Sequence, residues 1–322
     1  MYVLALNGSP RKNGNTYALV SLFLKQADKH GFETKLLNSS DFQYMPCTGC
    51  KTCEKIGFCI LKDSFEQEIF PFFRKADIIV LSTPVYFYTF PAQIKILIDR
   101  MQTLWSRKYR LKIKDSGEFN RKGILLSVGA TKGENLFDGI KLTAKYFFDA
   151  LGAEFIDSLC YRRIDHRGEL ENHPHVKDDI KKLGNKIFKP FKNRKTIFFV
   201  CRENAGRSQI AASFAKNIAQ DKINVISAGS NPAKFINKKA VQVMAEKGLD
   251  IAFIKPCSFD HVIKNILPNI IITMGCDQVC PVVPGCKIED WNLPDPADKT
   301  INEVRKIRDK IEIKVKNLVS SL

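Results

Sequence analysis

The chain has 322 residues, 44% of them hydrophobic, with 51 lysines and arginines against 34 acidic residues, a formal charge of +17. That length suits two ordinary cores, and no apolar run approaches the roughly 20 residues of a membrane span. The basic excess is even, 30 against 21 acidic up to position 190 and 21 against 13 beyond it. Without a localised basic face or a base-reading motif, nucleic-acid binding is not expected.

The first element is the apolar run Tyr2-Val-Leu-Ala-Leu6, a strand. The loop Asn7-Gly-Ser-Pro-Arg-Lys-Asn-Gly-Asn-Thr16 follows, and then a helical pattern. A loop rich in Gly, Ser, Asn and Thr between first strand and first helix is suited to hold a phosphate. It has neither the Gly-x-Gly-x-x-Gly fingerprint nor the Walker lysine, which argues against dinucleotide and P-loop readings. Further strands are expected near 33–37, 77–82, 123–127 and 154–159, giving a five-stranded parallel sheet. Two of these strands end in informative loops. Ser82-Thr-Pro-Val-Tyr-Phe-Tyr-Thr-Phe-Pro-Ala92 leads into a helix, and Ser127-Val-Gly-Ala-Thr-Lys-Gly133 follows the fourth strand. Between the second and third strands lies Cys47-Thr-Gly-Cys-Lys-Thr-Cys-Glu-Lys-Ile-Gly-Phe-Cys59. Four thiols spaced x2, x2 and x5 suit a compact cubane; a structural zinc is a rival reading.

The three loops, in this order, resemble those of the flavodoxin-like FMN reductases. The resemblance implies FMN held by Ser9, Arg11, Asn15 and Thr16 at its phosphate and by Pro84, Val85, Tyr86 and Phe87 over its ring. Ser127, Gly129 and Gly133 complete the implied site, with NAD(P)H as electron donor. The cysteine segment resembles that of the iron–sulfur flavoproteins, which implies one [4Fe–4S] cluster on Cys47, Cys50, Cys53 and Cys59. FMN reductases with a similar Pro-Cys-x-Gly-Cys-x-x-Cys stretch and no cluster leave bare thiols as an alternative. The basic stretch Arg107-Lys-Tyr-Arg-Leu-Lys-Ile-Lys114 reads as a mobile insertion. His166, His173 and His175 form no complete metal set, and Cys160 reads as packing. A helical run over 176–187 is followed by the basic segment Phe188-Lys-Pro-Phe-Lys-Asn-Arg-Lys195, read as a linker. It divides 1–190 from 191–322.

In the second half, strands are expected near 196–200, 223–227 and 269–274, and helices near 207–219, 235–248 and 301–319. A fourth strand falls either between 249 and 253 or near 287–289. Directly after the first of these strands stands Cys201-Arg-Glu-Asn-Ala-Gly-Arg-Ser208. A thiol, successive backbone N–H groups, a helix N-terminus and Arg207 together make an oxyanion site, and the positive field favours a thiolate. Ser208 is placed to donate to that thiolate and Asn204 to brace the loop. Cys-x5-Arg-Ser resembles the low-molecular-weight tyrosine phosphatases, as do Ser227-Ala-Gly229 and Trp291-Asn-Leu-Pro-Asp-Pro296, with Asp295 at the acid position. Thr273-Met-Gly-Cys-Asp-Gln-Val-Cys-Pro281 and Gln209 resemble the arsenate reductase branch of that family. The likeness covers about 195–320 and implies a smaller parallel α/β domain of that type. It also implies a cascade in which Cys201 attacks arsenate, Asp295 donates a proton, Cys276 attacks Cys201, and Cys280 then attacks Cys276. Cys286 reads as an exposed bystander and Cys257 as packing.

The expectation is therefore a two-domain α/β oxidoreductase: an arsenate reductase fused to an FMN-dependent NAD(P)H oxidoreductase that supplies its electrons. The alternatives are two independent detoxification activities, with a quinone or organoarsenical flavin reductase, or a redox-regulated phosphatase. Arsenate, thioredoxin and a second copy of the chain are the expected partners. Ten cysteines, read as a sign of metal and redox chemistry rather than structural disulfides, and a first strand beginning at residue 2 point to the cytoplasm.

Overall fold

The computed structural model describes residues 1–264, 266–275 and 283–322. They form two compact units, one of 1–112 with 120–192 and one of 113–119 with 193–322. Eleven strands occur among the described residues: β1 Tyr2–Asn7, β2 Glu33–Asn38, β3 Ile78–Pro84, β4 Lys114–Asp115, β5 Lys122–Gly129, β6 Glu154–Arg162, β7 Lys195–Cys201, β8 Ile223–Gly229, β9 Leu249–Asp250, β10 Ile270–Thr273 and β11 Lys287–Asp290.

The first unit is a five-stranded sheet in the order β2-β1-β3-β5-β6, parallel throughout. Parallel sheets carry helices on both faces, so their central strands read as unbroken apolar runs; every residue of β1 is buried. The register places Asn7 opposite Ser82 and Thr83 opposite Ser127, so three loops leave the sheet side by side at its carboxyl edge. The strand order reverses between β1 and β3, where ligands of such sheets usually bind.

The helix expected over 176–187 runs on to Lys192, with Pro190 in its final turn. The stretch read as a linker is thus mostly helical. Phe188 and Phe191 explain why: both are buried, and both pack on Phe32 with ring centroids 4.9 and 5.6 Å away. Proline removes only one hydrogen bond that close to a helix end. The basic insertion also differs from expectation. Its first residues end the helix Gln102–Tyr109, and Arg107 is buried because its guanidinium donates to the Gly57 carbonyl at 3.0 Å.

The second unit has a four-stranded parallel sheet in the order β11-β10-β7-β8 and a separate pair, β4 with β9. Both stretches considered for a fourth strand are strands, with different partners. Alternation along β7 builds the two sides of the sheet. Ile197 and Phe199 join a core with Ile210 and Ile307, while Phe198 and Val200 join Phe259 and Val283. The helix Ile301–Ser320 packs on the helix Arg207–Ala219. Its start is fixed by a capping box: the Glu303 carboxylate accepts from the Thr300 N–H at 2.8 Å, and the Thr300 hydroxyl accepts from the Glu303 N–H.

Candidate functional site

β7 ends at Cys201, and the loop 202–206 turns into the helix beginning at Arg207. The carbonyls of this loop are drawn outward. Those of Cys201, Arg202, Glu203 and Ala205 accept N–H groups from Ser230, Asn231, Ala233 and Asn237 at 2.8–3.3 Å. A loop whose carbonyls are engaged on its outer side presents its N–H groups inward, as anion nests do. Gly229 makes the close approach possible, since a Cβ there would stand 2.5 Å from the Arg202 carbonyl oxygen and 2.8 Å from the Asn204 nitrogen.

Inside the loop, Cys201 is buried. The Asn204 N–H donates to its Sγ at 3.2 Å, and the Ser208 hydroxyl lies 3.1 Å from that sulfur. Asn204 sits in the left-handed region at φ 52°, held by its own side chain. Its amide donates to Ser208 Oγ at 2.9 Å, while its Oδ1 accepts from Gln209 and from the Cys257 N–H at 2.9 and 3.0 Å. Gln209 and Cys257 are therefore positioning residues for this loop.

Arg207 is buried, donates to the Leu293 carbonyl at 2.9 Å and pairs with the Asp295 carboxylate. Its Nε finds no hydrogen-bond partner among the described residues. A buried guanidinium N–H without an acceptor is costly, and an oxyanion in the nest would supply one. Asp295 is half exposed at the mouth. A Cβ at Gly275 would stand 3.1 Å from an Arg207 terminal nitrogen, so the residue bonded to Cys276 abuts the anion site. Cys276 and Cys280 themselves lie outside the described residues. Cys286 belongs to β11's approach, where burial pushes its thiol up.

In the first unit the loop after β1 is closed locally, with Ser9 Oγ donating to the Arg11 carbonyl and accepting from the Arg11 N–H. The helix Asn15–Lys29 starts at Gly14 with no side-chain cap, leaving its first N–H groups open. Ser9 and Thr16 are buried there, whereas Arg11 is exposed. The Asn15 amide is engaged at both ends, donating to the His166 carbonyl and accepting from the Gly168 N–H. Its side chain thus holds the loop 166–168 instead of reaching a ligand. Ser127 Oγ donates to the Thr83 carbonyl at 2.7 Å, a contact that ties the second and third loops together.

Pro84 and Val85 lead into a tight turn in which Tyr86 and Thr89 exchange backbone bonds. Phe87 and Tyr88 occupy its centre at φ 49° and 61°. Each costs on the order of 1 kcal/mol without glycine's freedom. The turn leaves Phe87 fully exposed. Gly133 and Gly139 accommodate it from below, since Cβ atoms there would meet the Tyr88 hydroxyl at 2.6 Å and its carbonyl at 2.4 Å.

Residues 1–138 match the family described as NADPH-dependent FMN reductase, and residues 196–322 match low molecular weight phosphotyrosine protein phosphatase. Over 131 residues the chain is 39% identical to an arsenate reductase of Staphylococcus aureus (strain Newman), covering 39% of this chain and 98% of that protein. The chain has a fusion architecture: one part belongs with the arsenate reductases, and the other is similar to the FMN reductases. The chain is also 35% identical over 132 residues to an iron–sulfur flavoprotein of Methanosarcina thermophila, covering 41% of this chain and 65% of that protein. A solved structure titled a thioredoxin-dependent arsenate reductase of Corynebacterium glutamicum is 29% identical, covering 46% of this chain and 75% of that one, with TM-score 0.34.

The flavin reductase half fits FMN. Its uncapped helix start and buried Ser9 and Thr16 are suited to receive a phosphate, and the raised aromatic turn could back a ring. For the expected cubane the geometry is different. Among the described residues no three His, Cys, Asp or Glu side chains stand together so as to hold a metal ion. Cys47 and Cys50 are exposed, Cys53 is buried and Cys59 is half-buried. Hydrogen bonding to Thr52 lowers the exposed Cys50 thiol. Burial raises Cys53, and Cys47 and Cys59 are close enough to raise it further. The donor chemistry is that of a thiolate cluster site, and the thiols are not gathered into a ligand set.

Two buried side chains the sequence did not single out fasten this segment. Arg100 grips the Asp63 carboxylate at 2.6 and 2.9 Å and the Met45 carbonyl at 2.9 Å, one on each side of the four cysteines. The Glu66 carboxylate accepts from the Cys59 N–H at 2.6 Å. Arg100 is the last residue of the helix Ala92–Arg100 and Glu66 lies in the one-turn helix Phe65–Glu68, so no motif spacing signals them. In this oxidoreductase no helix among the described residues is long and apolar enough to cross a membrane.

Proposed function

We propose that the second unit reduces arsenate to arsenite by a thiol cascade and that the flavin unit returns the electrons. The observation that carries this reading is the nest at 201–207, whose buried Arg207 has an N–H with no acceptor among the described residues, where a tetrahedral oxyanion would supply one. Nothing in a phosphate-ester hydrolysis calls for the thiols that follow Gly275, which favours the reductase over a phosphatase.

The Cys201 thiolate attacks arsenic while Asp295 protonates a departing oxygen. Cys276 then attacks the Cys201 sulfur. The S–As bond breaks with its electron pair staying on arsenic, arsenite leaves, and a Cys201–Cys276 disulfide forms. Attack by Cys280 on Cys276 passes the disulfide to the 276–280 pair and frees Cys201. Bound FMN would supply two electrons taken from NAD(P)H. Its phosphate would lie at Ser9, Arg11 and Thr16, and its ring beside Pro84–Phe87 and the loop Ser127–Gly133, with Asn15 holding the neighbouring loop. We further assign Cys47, Cys50, Cys53 and Cys59 to a [4Fe–4S] cluster, which the spacing and the named relative support; binding it requires the thiols to converge. Thioredoxin and a second copy of the chain are the partners this reading allows.

Purified protein should oxidise NAD(P)H in an arsenate-dependent way without added thioredoxin. Turnover that requires thioredoxin would assign the flavin unit a separate activity. Anaerobic reconstitution should yield about four irons per chain, and neither iron nor sulfide would mean the thiols are bare.

A further inference from the structure

Residues 113–119 belong by sequence to the first half, yet they fold with the second unit. β4 lies parallel to β9, with Lys114 opposite Leu249 and Asp115 opposite Asp250. The Lys114 N–H donates to the Gly248 carbonyl at 2.8 Å. Beyond the strand, Asp115 closes a turn: its carboxylate accepts from the Gly117 N–H at 2.7 Å and its carbonyl from the Glu118 N–H at 3.1 Å. Lys114 and Glu118 pair across that turn at 3.6 Å, and Ser116 is buried. On the receiving side Leu249, Asp250, Ile251 and Ala252 are all buried. This is the main-chain pairing by which an extended peptide adds to a strand edge.

We propose that residues 113–119 are a docking strap, a peptide ligand within the chain whose receptor is the β9 edge. The chain therefore crosses between its units three times, at 112/113, 119/120 and 192/193. The reductase unit stays attached even when the last of these is cut. The strap leaves the first unit just after the helix Gln102–Tyr109, whose Ser106 lies 3.4 Å from Cys53 Sγ and whose Arg107 holds Gly57. Its anchor is thus the helix that backs the cysteine segment. The proposal stands on the pairing itself and is independent of the reaction assigned above.

A protease site inserted between Lys192 and Asn193 of the full chain tests it. After cleavage the two pieces should co-elute on size exclusion at micromolar concentration. With residues 113–119 replaced by seven glycines and serines, the cleaved pieces should separate. Circular dichroism of the uncut proteins reports whether both units remain folded. Should the replacement fail to fold, Lys114→Pro decides, because it deletes the one N–H given to Gly248. The dissociation constant of the cleaved pieces should rise about fivefold, the equivalent of one backbone hydrogen bond. Cut wild-type pieces that separate, cut strap-replaced pieces that stay together, or an unchanged constant for Lys114→Pro would each overturn the strap.

Discussion

Two cysteine sites in this chain are built on opposite plans. At 201–208 every group around the thiol is placed by the protein: outward carbonyls, inward N–H groups, and a hydroxyl and an amide on the sulfur. At 47–59 the protein fastens the backbone from behind, through Arg100, Glu66 and Arg107, and leaves two of the four thiols exposed. The first is preorganised, so that the cost of orienting its dipoles is met by folding. The second is a fastened backbone whose thiols are not gathered, and the cluster proposed for it would have to supply the remaining order.

The sharpest way to break this contrast is Cys201→Ser. It should abolish arsenate reduction and leave flavin absorbance unchanged, because the nucleophile and the flavin loops belong to separate units. Substantial turnover in that variant would remove Cys201 from the nucleophile role. Asp295→Asn should slow arsenate reduction by about 10²–10⁴-fold with anion affinity kept, since it deletes a proton donor and no positive charge. A loss under about threefold in single-turnover arsenite release would make Asp295 a brace for Arg207.

The frame can be probed by Asp63→Asn, which leaves the buried Arg100 guanidinium short of its carboxylate. A stability loss of about 1–3 kcal/mol at pH 7 is expected by urea unfolding. The Arg100 hydrogen bond holds the Asp63 carboxyl below the usual carboxylate range. Its stabilisation is therefore present above about pH 3.9 and is lost as pH falls through the lowered value. The wild-type and variant curves should converge at acid pH; a gap that persists there would assign the loss to packing. Glu66 has the opposite sign, because burial raises it. Its ionised form costs stability as pH rises past the ordinary carboxylate value. Glu66→Gln keeps an acceptor for the Cys59 N–H and should be neutral or stabilising by less than about 1 kcal/mol at pH 8. A clear destabilisation there would show that the charge itself holds Cys59.

Local pattern makes much of this molecule readable. Unbroken apolar runs mark the central strands of both sheets, and the Cys-x5-Arg-Ser spacing marks the anion loop, because strand, turn and helix start are set by neighbouring residues. Three features are not readable that way. The helix continuing through Pro190 to Lys192 depends on Phe188 and Phe191 meeting Phe32. The outer shell of the anion loop uses backbone N–H groups of residues 230–237, which any sequence would possess. Only Gly229, with no room for a Cβ, leaves a trace of it. The third is the pairing of Lys114–Asp115 with Leu249–Asp250, 135 positions apart. Strands of two and four residues carry too little periodicity to be read locally, so the choice between 249–253 and 287–289 had no local answer. The sequence by itself determined the elements and the chemistry each loop can offer. Which distant backbone completes each loop and edge was decided by the tertiary structure, because those bonds are made between main-chain groups that carry no residue identity.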